Sequence, residues 1–138
     1  MKLFIDSSAL AKRYVREPGS DQIAVRCGEA SEISLSVVCS VEIISALNRL
    51  RREGKLAPRL YKQLKQEFGC DISEARIIPL DDQVIRLAKH CLEKSPLRTL
   101  DAIHVASAIV AKSDLFLSSD QQQVRAAMLA GLKTELID

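Results

Sequence analysis

Short apolar runs alternate with longer amphipathic stretches along the whole chain. The runs that read as strands are residues 3–5, 33–36, 76–80, 115–117 and 134–137. The second run, Ile33-Ser34-Leu35-Ser36, changes between apolar and polar at every residue, which is the period of a strand. The stretches between the runs repeat their apolar residues at helical spacing. This alternation predicts an α/β fold, a three-layer α/β/α sandwich around a central, mostly parallel sheet of four to five strands.

The helices of the first half are bounded by capping and breaking residues. Ser7 and Ser8 are the expected N-caps of the first helix, and a second helix is expected over residues 21–30. The third helix follows the second strand. Its predicted apolar face consists of Val37, Val41, Ile44 and Leu47. Pro58 suits the first turn of a fourth helix, which is expected to end before Gly69.

The helices of the second half carry clearer signals. Asp81 and Asp82 are expected to cap the fifth helix, and Pro79 indicates that the third strand lies at an edge of the sheet or ends early. The sixth helix, expected from Thr99 to Ala111, is apolar nearly all round, which is typical of a buried helix at the centre of a fold. Thr99 is its expected N-cap.

The last predicted helix covers residues 120–130 and ends at Gly131, and the final strand follows it. No internal repeat, low-complexity segment or linker interrupts the chain. A length of 138 residues is enough for one hydrophobic core and is typical of one domain. We therefore expect a single domain over residues 1–138.

Composition excludes some kinds of protein. Hydrophobic residues make up 47% and charged residues 28% of the chain, which is ordinary for a globular protein. Aromatic residues make up only 4%, which argues against a nucleic-acid binder that stacks bases on aromatic side chains. The cysteines form no C-x-x-C pair, so reduced, mostly buried thiols in a cytoplasmic protein are expected. No apolar run is long enough for a signal peptide or a membrane span, so no membrane contact is expected.

The net charge of +2 decides little, but the basic residues are unevenly distributed. The basic stretch comprises Arg49, Arg51, Arg52, Lys55, Arg59, Lys62 and Lys65. On its own, such a stretch is an ordinary solvated helix face. If an active site lies nearby, its first four members become candidate contacts to the phosphates of a nucleic acid.

Two acidic residues follow directly after predicted strands. Asp6 ends the first strand, and Asp120 lies just past the fourth. Ligands of open α/β sheets bind beyond the carboxyl ends of the strands, so these two side chains are expected at the same edge. Glu42 lies among apolar residues on the third helix, an unusual setting for a solvated glutamate. Asp101 is expected in the first turn of the sixth helix.

Each of these acids also has an ordinary structural explanation. Asp6 suits a strand-end turn, and Asp101 suits the positive end of a helix dipole. Asp120 suits an N-cap, and Glu42 an exposed helix position. Four carboxylates in one place, however, repel one another and lose hydration, so they are stable as anions only with a cation. An all-oxygen site of this kind suits Mg²⁺ or Mn²⁺.

Four motifs, in this order, resemble those of PIN-domain nucleases, most closely the VapC-type toxins of toxin–antitoxin pairs. They are residues 4–12 (FIDSSALAK), 41–47 (VEIISAL), 97–106 (LRTLDAIHVA) and 116–120 (FLSSD). The resemblance covers the chain from end to end. It departs from the family pattern mainly in the fourth motif, where Ser118 stands in the place that a threonine commonly takes. The three glutamines that follow this motif bring no further acid.

The resemblance implies a Mg²⁺- or Mn²⁺-dependent endoribonuclease. Its metal-binding and catalytic acids would be Asp6, Glu42, Asp101 and Asp120, and Ser118 would supply a hydroxyl that helps to orient the site. The resemblance also implies an RNA substrate, homodimerisation and a small antitoxin protein as partner, which would make the chain the toxin of a type II pair. Family members differ most in how directly the acid at the place of Asp120 contacts metal.

Other functions fit the residues less well. A phospho-receiver domain needs two acids together after the first strand. A phosphatase with an aspartate nucleophile needs an acid two residues after Asp6, where Ser8 stands. The glycine motifs of dinucleotide and P-loop sites are absent. The alternative that stays open is a catalytically silent PIN-like domain that binds RNA or a partner. The roles of two residues also stay open. His104 either packs or makes a hydrogen bond, or it acts as a general base, and Arg98 is either a phosphate contact or a surface residue.

Overall fold

The computed structural model describes all 138 residues, and one or two helices separate each strand from the next. The strands are β1 (Lys2–Ile5), β2 (Glu32–Ser36), β3 (Arg76–Ile78), β4 (Leu115–Ser118) and β5 (Thr134–Leu136). The helices are α1 (Ser7–Leu10), α2 (Ser20–Glu29), α3 (Cys39–Arg52), α4 (Pro58–Glu74), α5 (Asp82–Lys94), α6 (Thr99–Ala111) and α7 (Gln121–Leu129). A 3₁₀ turn over Ala11–Arg13 follows α1.

The five strands form one fully parallel sheet in the order β3-β2-β1-β4-β5. From the central β1 the chain moves outward to β2 and β3, and it then crosses to the other side of β1 to form β4. The direction of winding therefore reverses between β1 and β4. Ligands of open α/β sheets bind at such a reversal, beyond the carboxyl ends of the strands. The predicted α/β/α sandwich with a parallel sheet is confirmed.

Two hydrophobic layers pack on opposite faces of the sheet, because alternate residues of a strand point to opposite sides. Leu3 and Ile5 join the layer that contains α2, α3 and α4. Phe4 joins the layer that contains α5, α6 and α7, where its ring stacks on that of Phe116 with 5.8 Å between centroids. Helix α6 is buried along most of its length, as its apolar sequence predicts. None of the helices combines the length and the apolarity that a membrane crossing requires.

The N-caps of α1 and α6 differ from the predictions. The side chain of Asp6, rather than that of Ser7 or Ser8, caps α1 by accepting an amide of its first turn. A carboxylate is a stronger acceptor than a hydroxyl, and Asp6 already has extended backbone at the end of β1. The N-cap of α6 is Arg98, which makes no side-chain cap, and Thr99 is the first helical residue.

The buried face of α3 also differs from the prediction. Cys39, Ile43 and Leu47 face the core, whereas Val41 is 71% exposed. Apolar residues lie on more than one face of this helix, and their spacing alone does not say which face meets the sheet.

Helix α4 continues past Gly69 to Glu74, so the prediction that it ends before the glycine is wrong. A glycine inside a helix costs about 1 kcal/mol relative to alanine. The packing of buried residues such as Phe68 offsets that cost. Two other predictions are confirmed: β3, which Pro79 follows, is an edge strand, and Asp81 caps α5.

Candidate active site

Asp6 lies where β1 ends, and none of its surface is exposed. Its backbone N–H donates to the carbonyl of Leu117 in β4 at 3.0 Å, which holds it between the two strands. Its carboxylate accepts hydrogen bonds from the amide of Ala9 at 2.9 Å and from the hydroxyls of Ser8 and Ser118 at 2.8 Å. Burial raises the pKa of Asp6, because the electrostatic influence of His104 and these donors only partly offset the loss of hydration. A cation close by would stabilise the ionised form.

The hydroxyl of Ser118 links Asp120 to Asp6. The Oγ of Ser118 donates to Asp6 and accepts from the backbone N–H of Asp120 at 3.0 Å. The carboxylate of Asp120 accepts the N–H of Gln122 at 2.8 Å and so caps α7. The structure therefore brings the ends of β1 and β4 together, as expected for neighbouring strands of a parallel sheet.

Glu42 lies in the first turn of α3 and is half-buried. Its Oε1 accepts the hydroxyl of Ser7 at 2.7 Å and lies 2.5 Å from Nε2 of His104 in α6. Burial opposes ionisation of Glu42, but the hydrogen bonds from His104 and Ser7 outweigh it, so the pKa of this carboxyl is lowered. The His104 side chain is itself buried, and its Nδ1 has no hydrogen-bond partner.

Asp101 lies in the first turn of α6 and is buried. The amide of Gln123 in α7 donates to its Oδ1 at 3.0 Å, and Nε of Arg98 donates to its Oδ2 at 3.0 Å. The same guanidinium reaches toward α7, where its Nη2 lies 4.0 Å from Oδ2 of Asp120. The side-chain amide oxygen of Gln123, Oε1, is buried without a hydrogen-bond partner.

Three side chains therefore connect the four acids at the carboxyl edge of the sheet. Ser118 connects the acids at the ends of β1 and β4, and Arg98 connects those of α6 and the α7 cap. Ser7, the residue after Asp6, reaches Glu42. No three Asp, Glu, His or Cys side chains, however, surround one point closely enough to hold a metal ion in this arrangement.

The chemistry of the donors fits an oxygen-preferring cation. The side chains at this edge offer carboxylate and hydroxyl oxygens, which are the ligands of Mg²⁺ and Mn²⁺. Asp6 is fully buried and accepts hydrogen bonds only from neutral donors, so a cation would stabilise its ionised form. Glu42 already contacts His104, and a metal ion would have to share Asp101 with Arg98.

Several residues that shape this edge were not assigned from the sequence. Ser7 follows Asp6 directly, so its position was a usable signal. No sequence signal marked Gln123, because nothing in the sequence distinguishes it from Gln121 and Gln122. Arg98 had two open explanations, and the structure places it against Asp101.

The basic stretch lies away from the acids. Arg49, Arg51 and Arg52 are exposed in the last turn of α3, and Lys55 is exposed in the loop that follows. Glu42 lies in the first turn of the same helix, which puts the arginines about 10–15 Å further along the helix axis. The Arg51 guanidinium lies over the ring of Tyr61 at 4.5 Å from its centroid. The structure does not bring these side chains to the acids.

A separate groove of about 690 Å³ lies between α2, β2 and α4. Its charged lining includes Arg13, Glu32, Asp71 and Arg76. It contains none of the four acids, so this groove and the carboxyl edge of the sheet are different places on the molecule.

Comparison with protein families gives one match over most of the chain. The family model described as the PIN domain matches residues 3–129. A curated relative, Ribonuclease VapC47 of Mycobacterium tuberculosis (strain CDC 1551 / Oshkosh), is 28% identical over 138 residues, which cover 96% of this chain and 94% of the relative.

Solved structures with similar folds cover nearly the whole chain at low sequence identity. VapBC2 from Rickettsia felis, solved with a DNA fragment from its promoter, has a TM-score of 0.71 at 11% identity and covers 100% of both chains. VapC20 of Mycobacterium tuberculosis, a sarcin–ricin loop cleaving toxin, has a TM-score of 0.68 at 15% identity. The match covers 94% of this chain and 95% of VapC20. At these identities the likeness is one of fold.

Proposed function

This chain belongs to the PIN domain family, and on that premise we propose that it is a Mg²⁺- or Mn²⁺-dependent endoribonuclease, the toxin of a type II toxin–antitoxin pair. One observation carries the proposal. Contacts of Ser7, Ser118 and Arg98 connect the four acids at the carboxyl edge of the sheet, where the winding of the chain reverses. The similarity to a curated ribonuclease over 96% of the chain supports RNA as the substrate.

In this proposal the metal ligands and catalytic acids are Asp6, Glu42, Asp101 and Asp120. A bound Mg²⁺ or Mn²⁺ would supply activation of the attacking water and neutralisation of the phosphodiester charge. Asp6 would be the central ligand, because it is the most buried of the four and is held from two strands. Asp120 would contribute from the rim, because its side chain is partly exposed and also caps α7.

The hydroxyls around the acids would keep the ligands in place. Ser118 and Ser8 donate to Asp6, and Ser7 donates to Glu42. Such hydrogen bonds fix the rotamer of a carboxylate and the direction of its free lone pairs, which is the usual role of groups that surround metal ligands. Ser118 is therefore assigned a supporting role rather than a chemical one.

The basic stretch would hold the RNA backbone away from the cleavage point. Arg49, Arg51, Arg52 and Lys55 are exposed and lie along α3 from Glu42. Side chains at that distance would contact phosphates that flank the reacting one. Contacts of this kind raise affinity through counterion release and carry little sequence information.

The proposed partners follow from the family. A small antitoxin protein would neutralise the activity, and the chain would form a homodimer and act in the cytoplasm as a single domain. The resemblance in fold to VapBC2, one of the toxin–antitoxin complexes, supports a partner of this kind. The similarity in fold to a toxin that cleaves the sarcin–ricin loop supports a structured RNA as one class of substrate.

The decisive experiment is cleavage of a cellular RNA pool by the purified, partner-free protein, with Mg²⁺ or Mn²⁺ and with EDTA. Asp6→Asn and Asp101→Asn keep the shape of the side chain and remove its charge. Asp82→Asn, at an exposed position in the first turn of α5, is the matched control. Discrete, metal-dependent cleavage by the parent and the control, lost in both folded site variants, is the expected result.

The alternative function is a catalytically silent domain that binds RNA or a protein partner. One observation favours it: Arg98 and His104 contact Asp101 and Glu42, and no three candidate ligands converge. RNA binding without cleavage under all metal conditions, by a folded partner-free protein, would select this alternative.

A further inference from the structure

Arg98 combines an exposed side chain with a buried partner. Its side chain is 82% exposed, whereas that of Asp101 is only 7% exposed. Arg98 is the N-cap of α6 and lies one turn before Asp101. Its side chain extends from there to the carboxylates of Asp101 and Asp120. Its Nε contacts Asp101 at 3.0 Å, and its Nη2 lies 4.0 Å from Asp120.

This guanidinium is the only positive group that contacts these two carboxylates. The other donor to the Asp101 carboxylate is the neutral amide of Gln123. A buried carboxylate with no compensating charge is costly, and two carboxylates that face each other add repulsion. Arg98 therefore performs, without a metal, the neutralisation that a divalent ion would perform at the same oxygens.

The Arg98 guanidinium and a divalent metal ion would compete for the same oxygen of Asp101. Oδ2 of Asp101 accepts from Nε of Arg98 at hydrogen-bond distance. A divalent ion bound to this oxygen would also place two positive charges beside a third, and these charges repel each other. Because most of the Arg98 side chain is already in solvent, its guanidinium can leave without unpacking the core.

We propose that Arg98 is an internal counter-cation that competes with the divalent metal ion for Asp101 and Asp120, and that it moves to the RNA phosphate when the ion binds. This inference rests on the proposed function, since it takes the two acids as metal ligands. A guanidinium released at the mouth of the site is suited to phosphate, which it binds with two parallel hydrogen bonds. Arg98 thus couples loading of the metal to binding of the substrate.

Metal binding without RNA tests the first half of the proposal. The measurement is the Mn²⁺ dissociation constant, obtained from the dependence of Tm on Mn²⁺ concentration, for the parent, Arg98→Gln, Arg98→Lys and the control Arg86→Gln, which changes an exposed arginine of α5. The dissociation constant for Arg98→Gln is expected to fall about twofold to fivefold, in keeping with the loss of one exposed ion pair. Arg98→Lys keeps the positive charge but loses the planar guanidinium, so its Mn²⁺ affinity should lie between those of the parent and Arg98→Gln. The Mn²⁺ affinity of Arg86→Gln should match that of the parent.

Cleavage at saturating Mn²⁺ tests the second half. The substrate is an oligonucleotide that spans a cut site mapped in the RNA pool. Its KM is expected to rise about tenfold in Arg98→Gln, because a charge-assisted phosphate contact is lost. Opposite changes, with Mn²⁺ bound more tightly and RNA more weakly, are not expected of a residue that only maintains the fold.

The outcomes separate this inference from the proposed function. If the parent binds Mn²⁺ and Arg98→Gln binds it no more tightly, or if the KM for RNA does not rise, the role of Arg98 is overturned and the ribonuclease proposal stands. If neither protein binds Mn²⁺, both the metal-dependent function and this inference are wrong. Binding by Arg98→Gln alone would support the competition directly.

Discussion

The hydroxyl of Ser118 donates to the carboxylate of Asp6 at 2.8 Å, although 112 residues separate the two in sequence. The same oxygen accepts the backbone N–H of Asp120 at 3.0 Å. One buried hydroxyl therefore sets both the rotamer of the innermost acid and the start of α7.

Ser118→Ala is expected to reduce both stability and cleavage. The variant removes one of the hydrogen bonds to the buried Asp6 carboxylate and leaves the Asp120 amide without its partner, which costs about 1–3 kcal/mol. Loss of a group that orients a metal ligand lowers activity about 10- to 100-fold. Urea unfolding and RNA cleavage measure the two effects. Ser118→Thr keeps the hydroxyl and should retain most of the activity, and equal losses in both variants would contradict the role given to the hydroxyl.

His104 is expected to act on cleavage through Glu42. Its Nε2 lies 2.5 Å from the Glu42 carboxylate, and its ring packs edge-on to Phe4 in the core. His104→Phe keeps a ring of similar size and removes the contact with Glu42. The cleavage rate should therefore fall clearly, whereas the free energy of unfolding should change little. If the two residues act as one unit, His104→Phe combined with Glu42→Gln should lose no more activity than Glu42→Gln alone. Additive losses in this double-mutant cycle would separate the two residues.

Acid sensitivity is expected to depend on the pair formed by Arg26 and Glu135. The Arg26 guanidinium makes hydrogen bonds to both carboxylate oxygens of Glu135, and Gln22 adds another, so the pKa of Glu135 is lowered in the folded protein. The stabilisation is complete above the ordinary glutamate pKa of about 4.3 and is lost as the pH falls through the lower folded-state value. The difference in Tm between the parent and Glu135→Gln should therefore be largest near neutral pH and should disappear in strong acid. Glu93→Gln, an exposed glutamate of α5, should show no such change.

The four cysteines are expected to react with thiol reagents at very different rates. Cys70 is exposed, Cys27 is half-buried, and Cys39 and Cys91 are buried. Burial raises the pKa of the Cys39 thiol to about 12, so almost none of the reactive thiolate is present at neutral pH. Titration with an aromatic disulfide at pH 8 should show one fast thiol, which Cys70→Ser removes, and all four only after unfolding. Rapid labelling of Cys39 in the native protein would contradict its burial.

The basic stretch is expected to contribute to RNA affinity through charge alone. Each phosphate contact to single-stranded nucleic acid contributes about 0.7 to the slope of log affinity against log salt. Arg49→Gln combined with Arg52→Gln should therefore lower that slope by about 1.4 if both side chains contact phosphates. Binding of a cleavage-site oligonucleotide between low and moderate salt measures the slope. An unchanged slope would mean that these arginines are only a solvated helix face.

Local patterns in the sequence determined the order of elements and the family. The strand-like runs and helical spacings predicted four to five strands with helices between them, and Pro79 indicated a third strand that lies at an edge or ends early, as β3 does. Asp6 and Asp120 could be assigned to one edge because the carboxyl ends of neighbouring parallel strands must coincide. These features are local, or follow from a rule of parallel sheets, so no knowledge of distant contacts was needed.

The tertiary structure decided which face of a helix is buried and what each acid touches. Val41 and Ile43 are both apolar, and only packing against the sheet selects Ile43 for the core. The contact of Glu42 with His104 and that of Gln123 with Asp101 join residues 62 and 22 positions apart. Periodicity and composition carry no information about such pairs, because they arise only when separate helices dock on one sheet and bring their side chains within hydrogen-bond distance.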